Sequence, residues 1–284
     1  MDADLHTHTR HSDGTTSPTE NVRLARAQGL AALAITDHDT LTGWDEAADA
    51  ARRTGLVLVP GVELSAERDG DSVHLLGYWV DPDHEGLAAE CVRLRDHRED
   101  RVRRMLERLA ELDAAVTFEA VRRVAGTAPL GRPHVAQALV EAGHVADFQQ
   151  AFDELLADGR PAAVPKHALS PEDAVRLIVD AGGAAVLAHP ALSSPGVIDE
   201  ALLDRLVVAG LVGVEADHAD QDRSARERWR RLAAERDLLV TGGSDFHGDR
   251  KRLRVGQGVT PVARVERLAE RAADPQPAID ATAG

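Results

Sequence analysis

Two histidines one residue apart, His6 and His8, close the first apolar segment in Asp4-Leu5-His6-Thr7-His8-Thr9, with Asp13-Gly14 shortly after. Alternate side chains of a strand share a face, so both imidazoles point the same way, which is half of a transition-metal site. The later apolar runs end in the same residue types. Thr36-Asp37-His38-Asp39 follows the second run, Gly61-Val62-Glu63 the third, and His74 lies in the fourth. Ala188-His189-Pro190 and Ser244-Asp245-Phe246-His247 end later ones. Functional groups of α/β sheets and barrels gather at the C-terminal ends of strands. Six histidines (His6, His8, His38, His74, His189, His247) and three carboxylates (Asp13, Glu63, Asp245) therefore converge at one edge. Nine ligands exceed what one ion takes, about four or five for zinc; they suit two or three ions sharing a bridging carboxylate. Any one of them alone could be a capped loop residue or an ordinary strand histidine. Their recurrence at one sheet edge is what points to metal chemistry.

The composition bounds what that chemistry serves. A chain of 284 residues, 43% apolar, is long enough for one sizeable domain or a domain with a smaller insert. The single cysteine, Cys91, excludes an intramolecular disulfide framework and a thiolate cluster, leaving imidazole and carboxylate as ligands. There is no apolar run of about 18 residues, so no membrane span is expected. Polar metal-type residues already at position 4 leave no room for a signal peptide, and cytoplasmic residence is the expectation. The net charge of −15, from 33 Lys+Arg against 48 Asp+Glu, should repel long duplex nucleic acid. Small anionic substrates remain open where metal ions supply positive charge. Nothing in the composition bears on oligomeric state.

The elements that must hold these residues alternate. Ala3 to His6 reads as a strand, and Ser17-Pro18-Thr19-Glu20 as a capping box with proline at the first helical position, opening a helix that Gly29 closes. A strand at 30–36, a helix at 44–53 stopped by Gly55, and strands at 56–60 and 72–80 follow. Such alternation argues a parallel α/β sheet or barrel. From about Leu87 to Lys166 only helical pattern is present: Val92 to Leu112, Phe118 to Val124, Arg132 to Ala142 and Ala146 to Ala157. Ser170-Pro171-Glu172-Asp173 then caps a helix, and strands at 184–188, 211–215 and 238–241 restore the alternation. The expected organisation is a discontinuous α/β body at 1–90 and 166–273, a helical insert at 91–165, and a flexible tail at 274–284.

In order, DLHTHT with SDG, TDHD, GVELS, VHLLGY, LAHP and GGSDFHG resemble the motifs of the PHP (polymerase and histidinol phosphatase) family of metal-dependent phosphoesterases. The resemblance covers residues 1–90 and 166–250. It implies a distorted (β/α)7 barrel of the PHP type with a helical insert domain capping the active site. It also implies two or three divalent ions, Mn2+ first, with Zn2+ or Fe2+ as alternatives. Carried over by position, His6, His8, Glu63 and Asp245 would bind one ion. Glu63 would bridge to a second, held by His74 and His189, while Asp13, His38 and His247 would hold a third. Asp13 departs from the histidinol-phosphatase pattern, which tends to carry histidine there.

Within the insert, Gly131-Arg132-Pro133-His134 and Val164-Pro165-Lys166 resemble elements of PHP phosphatases acting on 3',5'-bisphosphorylated nucleosides and short RNA 5' ends. The resemblance makes Arg132, His134 and Lys166 candidate substrate contacts; Glu215 and His218, after the sixth strand, are further pocket candidates. It implies a phosphoric monoester hydrolase removing the 3'-phosphate of a nucleoside 3',5'-bisphosphate by attack of a metal-activated hydroxide. Glu63 and Asp245 would act at the metals, with Asp245 or His134 as a leaving-group acid. The alternatives are a 5'-3' exonuclease on short RNA, a histidinol-phosphate phosphatase, and a non-catalytic PHP regulatory or binding module. The last conflicts with a complete set of nine ligands. His11, His84, His97, His144 and His167 lie off the pattern and are expected to face solvent.

Overall fold

The computed structural model describes residues 1–126, 130–157, 159–164 and 168–273. They form two compact units: Met1–Cys91 with the described part of Ala168–Gly284, and the described part of Val92–His167. Lys166, His167 and the tail at 274–284 lie outside the described residues.

The first unit is built on an eight-stranded mixed sheet that curls into a nearly closed barrel, in the order β7-β6-β5-β4-β3-β2-β1-β8. Strand β1 (Asp2–Asp4) leads to α1 (Pro18–Ala27), and β2 (Ala32–Ile35) to α2 (Trp44–Thr54). The Ser17 side chain accepts from Glu20 N while the Glu20 side chain accepts from Ser17 N, completing the capping box. Gly55 ends α2 in the left-handed conformation.

Strand direction departs from the parallel expectation. Strand β3 (Val57–Arg68) runs well past Glu63 and turns back through Asp69 and Gly70, both at positive φ, into β4 (Asp71–Tyr78). Two successive positive-φ residues make the tight turn whose twist matches an antiparallel hairpin, and β3–β4 and β4–β5 are both antiparallel. Glu63 thus sits inside a long strand, not at the end of a short one. His74 reaches the same edge because its strand runs the opposite way. Opposite Leu76, Glu63 shares its face with His74, two residues along.

Helix α3 (Glu85–Glu111) leaves this unit, and the divide falls between Cys91 and Val92. The second unit then contains α4 (Phe118–Ala125), α5 (Arg132–Glu141), α6 (Phe148–Ala151) and a π-helical turn at Phe152–Leu156. Its own apolar core includes Met105, Leu109, Val121, Leu139 and Leu156.

Back in the first unit, α7 (Pro171–Asp180), capped by Ser170, leads to β5 (Ala184–Leu187). Helix α8 (Glu200–Ala209), β6 (Gly213–Glu215), α9 (Arg223–Ala234) and β7 (Leu239–Thr241) continue the alternation. Strand β8 (Thr260–Pro261) pairs antiparallel with β1 and precedes α10 (Val262–Ala269). Closure relies on side chains as well as strands: Thr260 Oγ1 accepts from Gly242 N at 2.8 Å and donates to Gly242 O at 2.9 Å. Across the same seam, Asp245 N donates to His6 O and His8 N to Phe246 O.

Candidate metal centre

The chain beyond β1 stays extended between two neighbours, with Thr36 N donating to Thr7 O on one side and Phe246 pairing with Thr7 on the other. This holds His6 and His8 on one face, their Nε2 atoms 3.1 Å apart. The next turn carries Asp13 and is pinned by Asp37, which accepts from Thr9 N, Thr9 Oγ1 and Ser12 Oγ at 2.6–2.7 Å. Gly14 packs so tightly that a Cβ there would lie 2.7 Å from His8 O. His38 and Glu63 are drawn together by a parallel bridge, Asp39 N donating to Glu63 O.

Glu63 is fully buried at the centre of the cluster. Its Oε2 lies 3.2 Å from His6 Nε2, 3.1 Å from His8 Nε2 and 3.1 Å from His38 Nδ1. Its Oε1 lies 2.9 Å from His74 Nδ1 and 3.1 Å from His189 Nε2. Asp245 Oδ1 approaches His8 Nε2 at 3.2 Å and His6 Nε2 at 3.6 Å. Asp13 stands 3.2 Å from His247 Nε2 and 3.9 Å from His38 Nε2. All nine side chains singled out at the strand ends therefore meet in one cluster. Three groupings within it have ion-sized spacing: His6, His8, Glu63 and Asp245; His8, Asp13, His38 and His247; and His38, Glu63 and His74. His38 thus lies within reach of Glu63 and His74 as well as Asp13, and His189 flanks Glu63.

The surroundings orient these groups. His6 Nδ1 lies 3.1 Å from both oxygens of buried Glu215, so it donates there and turns Nε2 toward the cluster; against burial, Glu215, Glu63 and Asp245 push this imidazole well above its ordinary value. His247 Nδ1 donates to Asp245 O at 2.7 Å, which turns Nε2 toward Asp13. His218 Nδ1 accepts from Asp220 N, so its proton resides on Nε2, 3.5 Å from Asp245 Oδ2. Lys251 Nζ contacts the same oxygen. Asp245 and His189 both hold positive φ, a backbone state that persists only where surrounding contacts enforce it and that clusters at functional sites. Gly243 admits Glu215: a Cβ would fall 2.3 Å from His6 Cβ and 2.6 Å from Glu215 Oε1.

Burial opposes every charge here, yet the carboxylates stay ionised. For Glu63 it is outweighed by His38, His6 and His74, and for Asp245 by His6, His218 and His8, holding both well below the usual range. Asp13 is held low in the same way by His38, His247 and His8. Burial alone would depress His8, but Asp245 and Glu63 push it up to about 10. Burial and the neighbouring His8 hold His38 and His247 low. Among the described residues, several buried atoms have no hydrogen-bond partner, including His38 Nδ1, His74 Nδ1, His189 Nδ1, His218 Nε2 and Glu63 Oε2. Such orphaned atoms, clustered with anionic carboxylates and imidazole nitrogens, fit divalent first-row ions.

Arg132 and His134 open α5 in the second unit, and Lys166 lies outside the described residues. Sequence reasoning named Glu215 only as a pocket residue and passed over Lys251. Gly213-Val214-Glu215 repeats the pattern of Gly61-Val62-Glu63, a signal that could have marked it.

The family model for the PHP domain matches residues 4–157. A 3',5'-nucleoside bisphosphate phosphatase from Chromobacterium violaceum is 36% identical over 270 residues, 93% of this chain and 92% of that protein. A 5'-3' exoribonuclease from Haemophilus influenzae is 35% identical over 245 residues, 86% of this chain and 89% of the relative. Among solved structures, a candidate metal-dependent phosphoesterase from Bifidobacterium adolescentis superposes with a TM-score of 0.80 at 36% identity, covering 96% of each chain. With its motifs gathered at one barrel edge and these matches spanning most of its length, the chain belongs to the PHP domain family.

Proposed function

We propose that the chain is a metal-dependent phosphoesterase that removes the 3'-phosphate of a nucleoside 3',5'-bisphosphate, with His6, His8, Asp13, His38, Glu63, His74, His189, Asp245 and His247 as ligands to two or three ions. The observation that carries this reading is Glu63, a buried carboxylate within 3.2 Å of five imidazole nitrogens, which supports a bridging role between two ions. Divalent ions, with Mn2+ the first choice, would offset the charge of a phosphate ester and activate water for in-line attack. The protein's part is orientation. Glu215 fixes which nitrogen of His6 faces the centre, and Asp245 O does the same for His247. The Nε2–H of His218 faces Asp245 Oδ2 at a long 3.5 Å and makes no closer hydrogen bond among the described residues, so it would turn to a phosphoryl oxygen at little cost. Asp245 turns Oδ1 toward the imidazoles and Oδ2 toward His218 and Lys251, so its orientation does not depend on substrate.

Arg132, His134 and Lys166 belong to the proposal as phosphate contacts, on the strength of their motif resemblance, and His134 or Asp245 as the leaving-group acid. The insert's role as a cap rests on the same resemblance. No helix among the described residues is long and apolar enough to cross a membrane, and a cytoplasmic place of action is part of the reading. A second reaction, release of nucleotides from the 5' end of a short RNA, would use the same centre; the Haemophilus influenzae relative bears that name.

The test is a screen of phosphate esters with added Mn2+, alongside metal analysis of protein purified without chelator. Fastest turnover of a nucleoside 3',5'-bisphosphate and two or three ions per chain are expected. Fastest release from histidinol phosphate would overturn the substrate, and a chain without ions or turnover would leave the binding-module alternative.

A further inference from the structure

Directly after the last metal motif runs Gly248-Asp249-Arg250-Lys251-Arg252-Leu253-Arg254, four basic residues against one acidic in a chain of net charge −15. Lys251, Arg252 and Arg254 wall a cavity of about 440 Å3, shared with Phe246 and with Thr16 and Gln28 at either end of α1. Its position is set by the metal-motif loops. At the start, Thr15 N donates to His247 O at 3.2 Å and Asp249 N to Thr15 Oγ1 at 3.0 Å. At the end, Gly256 N donates to Asp4 Oδ2 at 2.8 Å. Lys251 belongs to both places: its side chain lines the cavity and its ammonium holds Asp245 Oδ2.

The arginines here differ from several others on this acidic surface. Arg68, Arg205, Arg230 and Arg236 each meet a carboxylate. Arg252 and Arg254 are exposed and have no carboxylate partner among the described residues. Guanidinium groups present a planar fork that suits phosphate oxygens, and two unneutralised ones line a ready-made hollow one side chain away from Asp245.

We propose that this cavity is a subsite for a backbone phosphate of single-stranded RNA, held by Arg252 and Arg254 while another phosphate of the same molecule is hydrolysed at the centre. It assigns residues outside the metal centre to holding the short RNA of the second reaction above, and it rests on the phosphoesterase reading. The overall negative charge keeps long duplexes away, so the subsite selects short, flexible strands.

The test compares the Arg252→Glu/Arg254→Glu variant with an Arg228→Glu/Arg231→Glu control on α9, which changes charge equally. Binding of a fluorescent 5'-phosphorylated tetraribonucleotide is read by anisotropy at several salt concentrations in a Glu63→Gln background, where turnover does not consume the probe. The ratio of kcat/KM for the tetranucleotide to that for the bisphosphate is read in the otherwise unaltered protein. Reversing the two cavity charges should weaken binding at least about tenfold, reduce the slope of log affinity against log salt by about one, and lower the ratio at least about tenfold. The control should do neither. Binding and ratio that stay within about twofold, or an equal loss in the control, would overturn the subsite. If the unaltered protein hydrolyses neither ester, the phosphoesterase reading fails, while anisotropy still decides whether the cavity holds RNA.

Discussion

Two buried regions of this chain follow opposite rules. The core of the second unit is apolar, with Met105, Val121, Leu139 and Leu156 fully buried among their own kind. The cluster around Glu63 buries His6, His8, Glu63, Asp245 and His247, half-buries Asp13, His38, His74 and His189, and leaves several of their atoms without hydrogen-bond partners among the described residues. Burying apolar groups is favourable by itself, whereas burying polar groups without partners costs of order 1–3 kcal/mol each in protein mutational data. The first region holds itself together. The second is tolerated because a rigid barrel surrounds it, and its unspent bonding capacity is what makes it useful. Places where ordinary stability rules are broken are where function is to be sought.

The largest effect should come from removing the bridge. Glu63→Gln should lower turnover at least about 1000-fold, the scale seen when a charge acting on the transition state is lost, with an unchanged far-UV circular dichroism spectrum. Near-normal rates would mean that the polar cluster is structural and that the contrast with the helical core is empty. In the other region, Leu139→Ala should cost about 2–5 kcal/mol in a denaturant titration, with the metal content of the purified protein unaltered. A parallel fall in metal content would show that the two regions are not separable.

Smaller changes sharpen the picture of the polar side. Glu215→Gln removes the carboxylate that accepts from His6 Nδ1, and metal affinity measured against a chromophoric chelator should fall about 10–100-fold; an unchanged affinity would reduce Glu215 to packing. The smallest signal is a pH slope. His8 is pushed up to about 10 in the ion-free protein, above its ordinary 6.5. Its protonated form therefore stabilises the ion-free fold fully below the unfolded value, and that contribution is lost as pH rises through about 10. His6 is likewise pushed well above its ordinary value, so an ion taking both Nε2 atoms must displace both protons; affinity should rise with pH and about two protons per chain should leave at pH 8. Calorimetry in buffers of different ionisation enthalpy reads that number; no buffer dependence would mean that His8 is not a ligand.

Much of this could be read from the residues because strand periodicity is local. The spacing of His6 and His8 dictates a shared face, and Ser17 with Glu20 dictates where α1 begins. The hairpin from β3 to β4 was less legible, since an apolar run does not reveal its direction until Asp69 and Gly70 are seen to turn it. Strand β8, two residues long, exists only through pairing with β1 at the other end of the chain. The same holds for Glu215 beside His6 and Lys251 beside Asp245. Glu215 meets His6 across 209 positions, a relation that no local pattern records.

The seam that joins the first strand to the stretch after β7 also dictates a timetable. Ser244 N donates to Asp4 Oδ1, and Asp245 N to His6 O. A nascent chain still lacking these residues holds its first histidines without their counterparts, so full cation loading must wait until translation has passed Asp245. Contacts of such long separation close late, and maturation is therefore expected to be post-translational and sensitive to how much free metal the finished polypeptide meets.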